Sequence, residues 1–253
     1  VEYEDFNGER RQCELGDMAI VSAVVEDGQI DFLRLCFVQN KKGKSKKTVV
    51  TWEIDRRQLF LLKHFPPLTG KSGILKGFRN IRFTNWSRCL GAYGLLYESG
   101  EMIFVSAPLL ASLMGEKSSV NSKDISAPTI HVYQCPPWQY CHIPIYYHLF
   151  GCDYPCLPLP YCGTRTICGN TIFAPNIYDF IVAWTQLNIG EIVVCNRNII
   201  HNQAYRLATA MINIVFPNYL SAEGSSPRMP DNVRDDDLGI GIFVYLIDIS
   251  QRR

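Results

Sequence analysis

Short apolar runs, each closed by a turn signal and never alternating with helices in βαβ fashion, constrain this chain more than any other feature. Met18 to Val25 and Ile30 to Val38 flank the turn signal Glu26-Asp27-Gly28-Gln29. Ile30 to Val38 alternates as a half-buried strand does, with Ile30, Phe32, Arg34, Cys36 and Val38 on one face. Thr48 to Ile54 follows a polar tip that contains Gly43, so the two runs read as a hairpin. Ile74 to Arg88 reads as an amphipathic strand. Leu90 to Tyr97 and Met102 to Ser106 form a further hairpin around Glu98-Ser99-Gly100-Glu101. Thr129 to Tyr133, Ile177 to Trp184, Glu191 to Cys195 and Ile240 to Ile249 read as later strands. Tyr205 to Phe216 contains Ala208, Ala210 and Met211, which suit a helix, but its alternation and β-branched share favour a strand. About nine or ten short strands without crossover helices predict an all-β sandwich or barrel. Arg56 to Leu62 is one or two helical turns stopped by Pro66-Pro67, and Leu109 to Met114 is a short helix.

Length allows one such domain with a full core, since 253 residues at 47% hydrophobic suffice without splitting. A formal net charge of +1 excludes a chain that traps nucleic acid by overall charge. The lysines at 41, 42, 44, 46 and 47 would suit phosphate, although a hairpin tip kept soluble by like charge explains them as well. No run of eighteen apolar residues exists, so no membrane span is predicted. Glu2, Glu4, Asp5, Glu9, Arg10 and Arg11 do not suit a secretory signal, and residues 1–17 read as an arm. The ten cysteines are expected to be reduced, mostly as buried packing residues.

One stretch stands apart. Gln134 to Tyr154 contains Pro136, Pro137 and Pro144 and is dense in aromatics. Proline fixes φ and removes a donor, so this is no helix interior and no central strand. It reads as a strand that enters the core and leaves at Pro144, followed by aromatic residues that cover an edge or a neighbouring subunit.

No chemistry is assigned by motif. Cys135, Cys141, Cys152, Cys156, Cys162 and Cys168 lie near His131, His142 and His148. Zinc favours two tight cysteine pairs, and only Cys152 and Cys156 resemble one. Asp231 and Asp235-Asp236-Asp237 lack calcium-loop spacing. Thr69-Gly70-Lys71-Ser72 ends like a phosphate loop, but Phe65 stands where the first glycine belongs. The sequence therefore assigns no catalytic residue, cofactor or metal.

Three sets of residues carry a resemblance. The first is Lys76-Gly77-Phe78-Arg79-Asn80-Ile81-Arg82-Phe83-Thr84 followed by Leu90-Gly91-Ala92-Tyr93-Gly94-Leu95-Leu96-Tyr97. The second is Ala127-Pro128-Thr129-Ile130-His131 ahead of Cys141-His142-Ile143-Pro144-Ile145-Tyr146-Tyr147. The third is Ala210-Met211-Ile212-Asn213-Ile214-Val215-Phe216 with Asn218-Tyr219-Leu220-Ser221-Ala222-Glu223-Gly224. In this order they resemble the strands of picornavirus-like capsid proteins. The family motif has Tyr where this chain has Ile145, and Ile177–Trp184 and Glu191–Cys195 compete for one strand position. Ile240–Ile249 lies beyond the family's end.

The resemblance implies an all-β fold: an eight-stranded antiparallel jelly-roll β-sandwich with an N-terminal arm and short helices in loops. It divides the chain into an arm at 1–17, a jelly-roll domain at 18–224 and a C-terminal extension at 225–253 with an extra strand. It implies a coat protein of a small non-enveloped positive-strand RNA virus, found in the virion and, during assembly, in the host cytoplasm. Its partners would be other capsid subunits and an enclosed RNA genome, and release from a polyprotein would suit a chain opening on Val1. Trp138, Tyr146, Tyr147, Phe150 and Tyr154 are then the expected subunit-interface residues. Two other readings stand beside it. One is a β-sandwich binding module that stacks a sugar or base on Trp138, Tyr140 and Trp184. The other is an enzyme with a Cys/His centre within 131–168.

Overall fold

The computed structural model describes residues 1–46, 49–83, 89–125, 165–167, 170–200, 202–217, 219–220 and 240–250. The expected strand-rich character is present, with strand exceeding helix among these residues. The sheet begins at a hairpin. Strand β3 (Met18–Glu26) turns through Asp27 and Gly28 into β4 (Gln29–Lys42). Both turn residues have positive φ, 52° and 74°, as a tight hairpin turn with the twist of its strands requires. The two strands pair antiparallel from Glu26–Gln29 to Met18–Val38.

A nine-stranded sheet grows from this hairpin. β8 (Gly91–Leu96) adds parallel to the far half of β4, and β9 (Met102–Ser106) adds antiparallel to β8. β12 (Asn170–Ala174) and β11 (Arg165–Ile167) extend that side. β13 (Glu191–Cys195) pairs the near half of β4 and carries the short β14 (Asn198–Ile199). β15 (Gly241–Asp248) adds parallel to β3 on the opposite side. Two parallel pairs make the sheet mixed, so its ladder is not the all-antiparallel one expected.

Two further expectations change. Ile177 to Trp184 and Tyr205 to Phe216, read as strands, are helices. Among the described helices, α1 is Arg56–His64, α2 Ala107–Met114, α3 Ser122–Ile125, α4 Ile177–Thr185 and α5 Asn202–Val215. Ala204, Leu207, Ala208, Met211 and Ile212 are buried, which is the spacing of one helix face and overrides the β-branched content. Asn176 caps α4 by accepting from the Asp179 N–H at 2.9 Å, and Phe180 and Ala183 face inward. Ile74 to Arg88 also departs from the strand expectation over its described part. Gly73–Leu75 is a single 3-10 turn, and Gly77 and Asn80 at φ 95° and 49° interrupt any ladder. Ile74, Ile81 and Phe83 bury their side chains nonetheless, and Ile81 keeps one bridge to Leu68.

The helices sit on both faces of the main sheet. Ala19, Val21, Leu35 and Phe37 pack towards α1, α2 and α5 through Leu62, Leu110 and Met211. Ile20, Cys36, Val38 and Phe104 pack towards α4 through Phe180 and Ala183. This is why Ile30 to Val38 is buried on both faces, where alternation suggested one.

Small sheets close the ends. Gly43 takes the chain out of β4, and a Cβ there would lie 2.3 Å from Val50. β5 (Lys44–Lys46), β6 (Val49–Glu53) and β10 (Ser119–Asn121) follow as a separate three-stranded sheet. The first residues, expected as an arm, are bound to the body instead. β1 (Glu2–Glu4) pairs β2 (Arg10–Gln12) and β7 (Leu68–Thr69). Tyr3 is buried there and donates to the Arg57 carbonyl at 2.8 Å.

Candidate interaction surface

Nothing among the described residues has the geometry of a catalytic centre. None of Cys13, Cys36, Cys89 and Cys195 is joined in a disulfide. Burial pushes the thiols of Cys13, Cys36 and Cys195 up, the opposite of what an activated nucleophile needs. His64 packs its ring against Phe6 and Phe60 at 4.9 and 5.0 Å, and burial lowers its pKa. No group of three or more His, Cys, Asp or Glu among the described residues is placed to hold a metal. Thr69-Gly70-Lys71-Ser72 is followed by a three-residue 3-10 turn, and Lys71 pairs with Glu2 at 3.0 Å.

The buried polar groups are structural. Arg34, at the centre of β4, donates to the Gly190 carbonyl at 2.8 Å and to the Asn170 side chain. It thereby ties β12 and the start of β13 to the sheet centre. Gln39 donates to Asp17 at 2.6 Å and accepts from Gln58 of α1, which anchors that helix to β4. A buried network of this kind rigidifies the packing around it.

The residues singled out by sequence are distributed as follows. Trp138, Tyr140, Tyr146, Tyr147, Phe150 and Tyr154 lie outside the described residues, as do the six cysteines Cys135, Cys141, Cys152, Cys156, Cys162 and Cys168, their neighbouring histidines and Asp231 to Asp237. Trp184 is described and is already engaged. Its indole N–H donates to Ser22 at 3.0 Å, and its ring meets Tyr245 edge-on at 6.2 Å. A sugar or base would have to displace both contacts. In the lysine tip, Lys44 pairs with Glu53 at 2.9 Å with both side chains about three-quarters exposed, as a solvated pair is.

What the described surface does offer is an open sheet edge. β15 reads Gly-Ile-Phe-Val-Tyr-Leu-Ile-Asp, with one charge, no lysine and no proline. Natural edges are usually blunted by those residues or by a bulge. β15 runs eight residues in unbroken register with β3. Among the described residues no strand pairs its other side. Its side chains are half-buried, with Ile242, Val244 and Leu246 leaning on the core beneath α5. Tyr245 and Ile247 lean the opposite way, towards Leu187, while Phe243 remains 48% exposed.

The C-terminal end of the strand is pinned. Ser250 donates its amide to Asp248 at 2.9 Å, and Tyr219 donates its hydroxyl to the same carboxylate. Bonds from Ser250 and Tyr219 hold the Asp248 carboxyl below its ordinary value. Desolvation, then the hydrogen bond to Asp248 and its charge, pushes the Tyr219 phenol up to about 12. Further apolar exposure lies on α4, where Tyr178 is 72% exposed beside Ile177 and Ile181.

Sequence reasoning identified Ile240–Ile249 as a strand but not as an edge. Lys and Pro, which usually mark an edge, are absent from this apolar strand, so the sequence carries no local edge signal. Comparison with family models, characterised proteins and solved structures finds no match to this chain. No helix among the described residues is long and apolar enough to cross a membrane.

Proposed function

We propose that this chain is a structural subunit that assembles with other chains and carries out no catalysis of its own. The observation that carries the reading is the unblunted eight-residue edge of β15. An exposed row of backbone donors and acceptors on an apolar strand is a template for another strand. The raised thiols and the engaged Trp184 support the same reading, because they remove the described candidates for chemistry and for stacking.

The narrower form is a jelly-roll coat subunit of a small non-enveloped RNA virus, enclosing the genome with related subunits in a virion. It draws on the resemblance of Lys76–Tyr97, Ala127–Tyr147 and Ala210–Gly224, and on the strand-rich body. Against it stand α5, where a resembling strand was expected, α4 at one of the two segments that competed for another strand, and the two parallel pairs of the main sheet. The wider assembly reading does not depend on it.

Sedimentation velocity over a hundredfold concentration range tests the wider reading. The expected result is mass above that of the monomer, rising with concentration. A monomer at every concentration overturns it. Electron microscopy of the native material tests the narrower form: uniform closed shells support it, and open or small oligomers remove it.

A further inference from the structure

We infer that two copies of this chain join their main sheets edge to edge through β15, antiparallel about a two-fold axis that passes beside Tyr245. The inference rests on the assembly reading above and names its contact.

The phase of the strand decides which residues can pair. The Gly241 N–H bonds to the Asp17 carbonyl at 2.8 Å, and the Ile249 N–H bonds to the Val25 carbonyl at 3.0 Å. In a parallel ladder, inward and outward backbone groups alternate along the strand. Gly241, Phe243, Tyr245, Ile247 and Ile249 therefore bond inward to β3. The N–H and C=O groups of Ile242, Val244, Leu246 and Asp248 face outward. Among the described residues no hydrogen bond is made from that side.

An antiparallel neighbour bonds in pairs of outward residues, each pair exchanging two hydrogen bonds. A second copy satisfies all four outward residues when Val244 faces Leu246 of its partner and Ile242 faces Asp248. The inward residues then meet across the non-bonded positions, with Tyr245 opposite its own copy and Phe243 opposite Ile247. Aromatic and β-branched pairs at such positions stabilise antiparallel ladders. The exposed Phe243 gains a neighbour on its own face of the sheet.

Charge and symmetry favour a second copy over an unrelated strand. The lone charge of β15, Asp248, sits at one end. Antiparallel self-pairing sends the two carboxylates to opposite ends of the joint, so no like charges meet. A two-fold joint needs one self-complementary patch, and an apolar strand with its only charge at one end is such a patch. It also closes at two copies, because each chain presents one β15.

Two variants test the joint. Tyr245→Cys places a thiol opposite its own copy, about 4.5 Å away between Cα atoms, which is within disulfide range. After mild oxidation and digestion, peptide mapping is expected to find peptides linked through position 245. The Phe243→Cys control is expected to give no self-linked peptide. Val244→Pro removes an outward N–H that β3 does not use, and is expected to weaken self-association about a hundredfold with the circular dichroism spectrum unchanged. If Val244→Pro misfolds, the cross-link alone decides. Association that persists in Val244→Pro, without the linked peptide, overturns this joint and leaves the assembly reading standing. A chain that is monomeric throughout, including one that pairs only with a strand of a different protein, overturns the inference.

Discussion

β4 and β15 both carry long apolar runs, and the sheet treats them differently. Both are free of proline and contain phenylalanine, and β4 is the more polar of the two, with Asp31, Arg34, Lys41 and Lys42. β4 is paired on both edges and covered on both faces, and Phe37 is fully buried. β15 is paired with β3 alone, and Phe243 is 48% exposed. Side-chain chemistry does not separate a sheet's centre from its edge. The difference arises from order of pairing, and it leaves on β15 the backbone groups that β4 has already spent on its neighbours.

The largest expected effect contrasts the two phenylalanines. Phe37→Ala should cost about 3–5 kcal/mol, because it opens a cavity where Phe65 and Phe83 meet the ring. Phe243→Ala should cost under about 1 kcal/mol in the monomer, since the ring is already half in water. Denaturant unfolding of both variants at low concentration checks this. Equal costs would mean that the edge is covered as the centre is.

A second contrast lies within β15. Tyr245→Pro removes an inward N–H and leaves a β3 carbonyl unpaired, so it should destabilise the monomer by about 1–3 kcal/mol more than Val244→Pro does. Thermal unfolding of the two proteins in dilute solution reads the difference. Equal losses would break the inward and outward assignment.

The smallest effect is a pH dependence at the pinned end. The Tyr219 phenol is raised from 10.0 to about 12 in the folded chain. Its contribution to stability is therefore complete below pH 10 and lost as pH rises towards 12. Asp248 is shifted the other way, so its contribution is present above the usual carboxylate pKa and fades as pH falls through its lowered value. Unfolding of Tyr219→Phe across pH should show a flatter alkaline limb than the parent. An unchanged limb would remove Tyr219 from the account.

Two of the expected hairpins were legible because their signals are local, but the one expected between Ile30–Val38 and Thr48–Ile54 does not form, since β6 pairs β5 and β10 in a separate sheet. Asp27-Gly28 and the Gly100 turn needed positive φ, and the sequence carries the residues that supply it. Helix α1 was legible for the same reason, with Pro66 closing it after Phe65 enters the left-handed region. α4 and α5 were not, because Ile, Val, Phe and Tyr serve strands and buried helix faces alike. The deciding signals were present but short: the Asn176 and Asp179 cap, and the spacing of Ala204, Leu207, Ala208 and Met211. Residues 1–17 looked solvated because charged side chains surround Tyr3 and Leu15, the two hydrophobic side chains that bury. The parallel pairing of β15 with β3 spans more than two hundred residues of chain, and no local pattern records it. The aromatic stretch from Trp138 to Tyr154 falls outside the described residues, so the interface proposed on β15 is a different one.

Residue-resolved amide exchange along β15, at low and at high protein concentration, separates an open edge from a closed one. In dilute protein the amides of Phe243, Tyr245 and Ile247 should be protected, while those of Ile242, Val244 and Leu246 exchange rapidly. At high concentration the second set should gain protection as the dimer forms. Equal protection of both sets in the dilute monomer would show that the edge is already closed, and no gain on association would show that copies meet elsewhere.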